Sequence, residues 1–204
     1  MKKKDTVSLC DGDVQLLIMV KCDIYRVAAI PNIAVYHSEA DLLMLTNSLF
    51  LHEFEIKTSR ADLLSELRAI KYKEKGPISN IYDRAVPEKS RKHYCFDRMF
   101  NKLRVDNCIG APNYYWMVIP EGICDISELP SYAGVMVFKY IGGSFDGSID
   151  NYSLDVVRKA PRLHHNKIPE HFIMRFLLRC SDALWNEIRG NRSNKMFRRG
   201  TVNE

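Results

Sequence analysis

The stretch Phe50–Glu66, FLHEFEIKTSRADLLSE, reads as a strand that turns directly into a helix. Successive side chains of a strand point to opposite faces, so Phe54 and Ile56 share one face and are expected to pack in a core. The other face then carries three charged residues: Glu53, Glu55 and Lys57. The following Thr58-Ser59 offers a helix N-cap. The stretch therefore predicts a strand with a charged side just before its end.

The helix after this strand is predicted over residues 60–71. Four apolar residues recur at near-helical spacing and supply its inner stripe: Leu63, Leu64, Leu67 and Ile70. Before the strand, a helix is expected from Asp11 or Asp13 to about Arg26, and Pro31 is expected to stop any continuation. Two short β-like runs follow, NIAVY from Asn32 and ADLLML from Ala40. Thr46-Asn47-Ser48 is turn chemistry that joins the second run to the strand in a hairpin.

Beyond the predicted helix, residues 72–88 read as a charged insertion loop. A second helix is expected over residues 89–104, and buried strands begin at Asn113 (NYYWMVIP) and Gly134 (GVMVFKY). A final helix is expected over residues 169–189. Strands flanked by helices on both sides predict an α/β domain with a central mixed sheet. With 204 residues, the chain fits a single domain over residues 1–190 and a basic C-terminal tail over residues 191–204.

Composition narrows the class of protein. With 46% hydrophobic residues the chain can bury a core. Its longest apolar stretch, Val14–Val20, is too short to span a bilayer, and acidic residues interrupt the apolar run that an export signal needs. The six cysteines form no C-x-x-C pair and are expected to be reduced thiols. We therefore expect a soluble, unexported cytoplasmic protein with no membrane partner.

The net charge of +5 is compatible with a polyanionic partner. The densest basic stretch is RGNRSNKMFRR, from Arg189 to Arg199. Its arginines Arg192, Arg198 and Arg199 are candidates for contacts with nucleic-acid phosphates. A solvated basic tail is the alternative.

The hairpin brings an acid of one strand close to the charged side of the next. If residues 41–45 pair with residues 50–57 about Asn47, Asp41 lies beside Glu55 and Lys57 is one step further along. Two adjacent carboxylates repel each other unless a cation lies between them, and Mg²⁺ binds such oxygens. Lys57 is then placed to stabilise charge on a phosphate or to position the attacking water. The alternative is a wet pair of strands with surface salt bridges.

The segment Ala40–Leu64, ADLLML…FEIKTSRADLL, resembles the core of the PD-(D/E)XK nuclease superfamily: an Asp on one strand, Glu-x-Lys on the next, then a helix. It is most similar to the MmcB-like branch of putative DNA-repair proteins, in which the lysine strand runs into a Lys-x-Ser-Arg-x-Asp turn. That register is matched here by four residues: Lys57, Ser59, Arg60 and Asp62. Four later segments have looser counterparts in the branch: KHYCF (92–96), YYWMVIPEGI (114–123), LPSYAGVMVF (129–138) and RKAPRL (158–163).

The resemblance implies a restriction-endonuclease-like α-β-β-β-α-β core. It implies Asp41 and Glu55 as ligands of Mg²⁺ (or Mn²⁺) and Lys57 as the catalytic lysine. Many members carry a further acid in the first helix, for which Asp13 and Asp23 are the candidates here.

Several other polar residues near this segment have two interpretations. Ser59 and Asp62 either hold Lys57 in place or cap the following helix, and the two roles are compatible. Arg60 is a candidate phosphate contact or an exposed helix residue. Lys92, with its neighbours His93 and Tyr94, either follows a nucleic-acid backbone or belongs to an ordinary amphipathic helix.

Three functions follow from these features. The first is a metal-dependent nuclease that hydrolyses phosphodiester bonds in DNA, in repair, mobile-element biology or defence. The second is a non-catalytic nucleic-acid-binding protein on a degenerate nuclease scaffold. The third is an interaction protein that keeps only the scaffold. The sequence does not separate DNA from RNA as the partner.

Overall fold

The computed structural model describes residues 9–36, 38–71, 85–103, 105, 110–142 and 148–199. Within these ranges, the side chains of residues 34, 35, 183, 184, 186–188 and 190–199 are not described. The chain divides into two compact units, Met1–Lys167 and Ile168–Glu204. No helix among the described ranges is both long enough and apolar enough to cross a membrane.

The first unit is built on one six-stranded mixed sheet with helices on its faces, as the α/β prediction requires. Its strands are β1 (Arg26–Tyr36), β2 (Ser38–Thr46), β3 (Leu51–Ile56), β4 (Tyr114–Pro120), β5 (Ala133–Tyr140) and β6 (Tyr152–Arg158), and they lie in that order across the sheet. The β3–β4 and β4–β5 pairs are parallel, whereas the other three pairs are antiparallel.

Three helices belong to this unit: α1 (Asp11–Lys21), α2 (Arg60–Lys71) and α3 (Glu88–Phe100). The bounds of α2 are those predicted. Helix α3 ends four residues before the predicted end at Arg104, and its first residue is the last of the predicted insertion loop. Residues 72–84 of that loop lie outside the described residues.

The sheet differs from the sequence prediction in two places. The segment around Arg26 starts β1 instead of ending a helix, and Pro31 lies inside β1, paired with Leu42. A proline is tolerated there because β1 is an edge strand. Strand β6 was not predicted. It forms the other edge, and Tyr152 is its one buried side chain, so it lacks the apolar signature of a central strand.

The β2–β3 hairpin turns where the sequence predicts. The Thr46 N–H donates to the Phe50 carbonyl, and the Leu49 N–H donates to the Thr46 carbonyl. Leu49 adopts a φ of 62°, in the left-handed region that a tight reversal of the chain needs. This turn sets the pairing of β2 with β3.

The two faces of the sheet are covered by different helices. On one face α1 packs against an apolar set that includes Leu42, Met44, Phe54 and Ile56. On the other, residues of α2 and α3 pack with Tyr115, Met117 and Tyr132. Because strand side chains alternate, Glu53 and Glu55 point to the second face, under α2 and α3.

The second unit contains the long helix α4 (Glu170–Arg199). It begins one residue after the predicted start and runs past the predicted end at Arg189. The predicted tail therefore begins inside a helix. The side chains of Arg192, Arg198 and Arg199 are not described, so their predicted nucleic-acid contacts lie outside the described part of the chain, as do residues 200–204.

Candidate functional site

The hairpin brings Asp41 and Glu55 side by side. Leu42 pairs with Phe54 and Leu43 with Glu53, so the next position places Asp41 opposite Glu55. The Ile56 N–H donates to Asp41 Oδ2 at 2.6 Å, which ends the regular ladder between the strands. The predicted hairpin register is thus confirmed.

The charged side of β3 is not a wet surface. The side chains of Glu55 and Lys57 are only 2% and 3% exposed, and Lys57 Nζ lies 2.7 Å from Glu55 Oε1. The interpretation as a surface salt bridge was therefore wrong: α2 and α3 cover this face. Charges taken out of water in this way are costly unless they are paired and hydrogen-bonded.

Glu55 meets two further lysines, both on α3. Lys92 Nζ lies 2.9 Å from Glu55 Oε2 and 3.0 Å from Glu53 Oε1. Lys89 Nζ lies 3.3 Å from Glu55 Oε1 and 2.9 Å from Glu66 Oε2, a carboxylate of α2. We call these six residues the ion cluster: Glu53, Glu55, Lys57, Glu66, Lys89 and Lys92.

Glu66 is held by a buried hydrogen-bonded chain. His93 Nε2 lies 2.5 Å from Glu66 Oε1, and the Tyr132 hydroxyl lies 2.8 Å from His93 Nδ1. Burial lowers the pKa of His93, although Glu66 opposes the shift. An ionised carboxylate can only accept, so Nε2 is the nitrogen that donates to Glu66. All three side chains are buried. The other oxygen of Glu66 lies 3.6 Å from Lys57 Nζ.

The carboxyl groups of the ion cluster and the neighbouring Asp41 differ in the direction of their pKa shifts. Burial opposes the charges on Glu55 and Glu66, but nearby cations and the His93 hydrogen bond outweigh it, so both pKa values fall. Burial raises the pKa of Glu53 to about 7, although Lys92 is close, because one ammonium serves two carboxylates. Burial, together with neighbouring Glu55, raises the pKa of Asp41 to about 6.

The same pairing keeps the lysines charged. Burial opposes the charge on Lys92, but Glu53 and Glu55 outweigh it and raise the pKa of its ammonium. The pKa of Lys57 is raised in the same way, chiefly by Glu55 and Glu66.

The residues of the predicted Lys-x-Ser-Arg-x-Asp turn have separate roles. Ser59 Oγ accepts from the Asp62 N–H at 3.2 Å, which is the cap interaction. Asp62 Oδ2 also lies 3.7 Å from Lys57 Nζ, so it contributes to holding that lysine. Arg60 pairs with Glu128 at 3.0 Å and donates to the Ile123 carbonyl at 3.2 Å. It is 43% exposed, and a role in binding phosphate stays a prediction.

The prediction that Lys92 contacts a nucleic-acid backbone was wrong. Its side chain is 0% exposed and points into the ion cluster. His93 is also buried, so neither residue presents itself to a polyanion in solvent.

The candidate acids of the first helix do not join the site. Asp13 accepts from the Cys10 N–H at 3.0 Å and thereby caps α1, and Asp23 is exposed beyond the end of that helix. The additional acid of the cluster is instead Glu66, from α2.

Glu66, Lys89 and Tyr132 were not among the predicted site residues, and His93 was considered only as a neighbour of Lys92 in a nucleic-acid contact. The sequence nevertheless carries a signal for Glu66, Lys92 and His93. Glu66 lies within the buried stripe of α2, between Leu63 and Leu67. Lys92 and His93 lie in the buried stripe of α3, one turn before Cys95 and Phe96. A charged residue inside an apolar stripe indicates a buried partner.

The described residues contain no group of three or more His, Cys, Asp or Glu side chains arranged to hold a metal ion. Any cation at this site would rest on the pair Asp41 and Glu55. One or two protein carboxylates, with waters and a phosphate oxygen, are the usual ligands of Mg²⁺.

The chain matches no protein-family model and no curated protein. Among solved structures, it is similar to a protein of unknown function from Silicibacter pomeroyi, at 14% sequence identity and a TM-score of 0.43. The alignment covers 82% of this chain and 81% of that protein. A likeness of this degree assigns neither a fold family nor an activity.

Proposed function

We propose that the protein is a metal-dependent nuclease of the PD-(D/E)XK type, which hydrolyses phosphodiester bonds in DNA on a restriction-endonuclease-like core. The observation that carries the proposal is the position of Asp41 opposite Glu55, with Lys57 Nζ 2.7 Å from Glu55. The order α1, β1, β2, β3, α2, α3, β4 contains the α-β-β-β-α-β order that the resemblance implies, with α3 added between α2 and β4.

The chemistry of the acid pair suits a divalent cation. Asp41 is half-buried beside Glu55, and its pKa is raised by burial and by the like charge of Glu55, which the Ile56 N–H, Lys57 and Lys92 only partly offset. Asp41 Oδ2 is engaged by the Ile56 N–H, whereas Oδ1 has no hydrogen-bond partner among the described residues. We therefore assign Asp41 and Glu55 as the residues that would hold Mg²⁺ or Mn²⁺. Such an ion lowers the pKa of a bound water and neutralises charge on a phosphate.

The protein's own residues supply the rest of the chemistry. Lys57 is fixed by Glu55, Asp62 and Glu66, so its ammonium stays charged and in one place. A fixed positive charge in a site with little water stabilises negative charge that develops on a phosphate. Glu55 Oε1 is already contacted by Lys57 and Lys89, so a bound metal would share that oxygen with them or displace one of them.

The test uses purified protein with supercoiled and linear DNA, with and without Mn²⁺ or Mg²⁺. We expect cleavage that needs the metal and falls by about 100-fold or more in Lys57→Ala and in Asp41→Asn, because each removes one fixed charge from the reacting site. Lys159→Ala, at an exposed lysine after β6, is the matched control and should cleave at the wild-type rate. Circular dichroism and urea unfolding establish that each variant is folded. Full-rate cleavage by folded Lys57→Ala would reject the assignment.

A non-catalytic DNA-binding protein is the second candidate, and one observation favours it. The carboxylate oxygens of Glu55 and Glu66 are already paired with lysines and His93. A metal ion would therefore have to compete with these partners for its oxygen ligands. This function predicts salt-dependent DNA binding and no strand scission with any divalent ion. Metal-dependent scission that is lost in Lys57→Ala would exclude it.

A further inference from the structure

Lys89 differs from the other lysines of the ion cluster in its access to solvent. Its side chain is 47% exposed, whereas those of Lys57 and Lys92 are 3% and 0% exposed. All three contact Glu55. A polyanion that approaches the cluster from solvent therefore meets the ammonium of Lys89 before either of the others.

The contacts of Lys89 hold its ammonium without using all of its donors. An ammonium carries three N–H bonds. Glu66 Oε2 at 2.9 Å and Glu55 Oε1 at 3.3 Å account for two of them. Among the described residues the third N–H has no acceptor, so it can donate to one on the solvent side, such as a phosphate oxygen.

The position of Lys89 depends on a buried hydrogen-bonded chain that holds its partner Glu66. Glu66 is locked by His93, and His93 is locked by Tyr132, all inside the protein. Because these contacts fix the Glu66 carboxylate, its ion pair with Lys89 holds the Lys89 ammonium at the solvent side of the ion cluster, close to Glu55. A charge held in advance binds its partner with less loss of side-chain entropy than a freely moving one.

From this geometry we infer that Lys89 is the residue of α3 that binds a DNA phosphate at the site, the role that the sequence suggested for Lys92. The inference rests on the proposed function. Lys89 adds a substrate contact on the solvent side of Lys57, and Glu66 is its positioning residue.

The test measures binding of a short fluorescein-labelled DNA duplex by fluorescence anisotropy, without divalent metal, over about 50 to 200 mM salt. Each protein–phosphate ion pair contributes about 0.9 to the slope of log K against log salt concentration. We expect Lys89→Met to lower that slope by about 0.9 and to weaken binding about fivefold near 0.1 M salt. Lys89→Arg should keep the slope, because it keeps the charge.

Two controls separate this role from a structural one. Lys159→Met removes an exposed lysine and should leave the slope unchanged. Urea unfolding of Lys89→Met measures any loss of stability, which by itself does not change a salt slope. If wild-type protein binds and cleaves DNA but Lys89→Met keeps the wild-type slope, this inference is rejected and the proposed function stands. If wild-type protein cleaves DNA with metal but shows no salt-dependent binding, the inference alone is rejected. If it shows neither salt-dependent binding nor metal-dependent cleavage, the proposed function fails and the inference fails with it.

Discussion

The two faces of the sheet are built from the same strands but stabilised in different ways. Toward α1, β2 and β3 present apolar residues such as Met44 and Phe54. Toward α2 and α3, the same β3 presents Glu53 and Glu55 to lysines of the ion cluster. Apolar packing tolerates replacement by residues of similar volume. A buried ion pair adds little net stability over such packing, but breaking it is costly. The ion cluster is therefore expected to add little stability over apolar packing, yet to be costly to disrupt.

The largest expected difference between the two faces comes from substituting one residue on each face. Lys92→Met removes a buried charge while keeping much of its volume, and it leaves Glu53 and part of Glu55 without a cation. We expect it to lower the free energy of unfolding by about 3 to 5 kcal/mol. Met44→Leu on the apolar face should change it by less than about 1.5 kcal/mol. Urea unfolding at pH 7 measures both, and equal losses would contradict the distinction between the faces.

The second substitution tests the carboxylate that the cluster keeps charged. Glu66→Gln should reduce stability at pH 7 by about 2 kcal/mol, because a charged hydrogen bond to His93 and an ion pair to Lys89 are weakened. The pKa of Glu66 is lowered in the folded protein, so its stabilisation is present above the unfolded-state pKa and is lost as the pH falls below it. The difference between wild type and Glu66→Gln should therefore shrink below about pH 4.5. A difference that does not change with pH would show that Glu66 is not charged in the folded state.

The third substitution removes only the Tyr132 hydroxyl, the last group of the hydrogen-bonded chain from Glu66 through His93. Tyr132→Phe deletes the hydroxyl that donates to His93 Nδ1 and should reduce stability by about 1 kcal/mol. The same variant should shift the His93 Nδ1 resonance in an NMR spectrum, because that nitrogen loses its hydrogen bond, and should change the Nε2 resonance much less, because Nε2 still contacts Glu66. Unchanged resonances would mean that Tyr132 does not hold the ring.

The smallest effect has the opposite sign. The folded-state pKa of Asp41 is raised to about 6, so its protonated form stabilises the fold at low pH and that contribution is lost as the pH rises through about 6. Asp41→Asn keeps an acceptor for the Ile56 N–H and removes the charge. We expect it to raise the melting temperature by about 3 °C at pH 8 without metal, and to leave it unchanged at about pH 3, which is below the unfolded-state pKa of an aspartate. A lower melting temperature at pH 8 would show that the charge of Asp41 is already compensated.

The sequence was most informative where one local rule acted alone. The alternation of apolar and charged residues predicted β3 and, with the turn at Asn47, the hairpin register. The Ser59 cap and the apolar stripe predicted the bounds of α2. The sequence could not show that α3 covers the charged side, because that depends on how the chain returns after the insertion. Lys92 was therefore predicted to contact a partner in solvent, whereas its side chain is buried in the ion cluster. Edge strand β6 has one buried side chain, that of Tyr152, and gave no apolar pattern to detect.

The edges of the sheet have a consequence for aggregation. Strand β1 carries Pro31, which lacks an N–H, and Asn32, whose φ of 51° breaks the extended backbone. An incoming strand of another molecule would find the donors and acceptors of that edge interrupted, a common natural defence against intermolecular sheet growth. The β6 edge has no proline, and Val156 and Val157 are exposed there. If partly unfolded molecules associate strand to strand, β6 is the edge on which a charged substitution such as Val156→Lys would suppress that association.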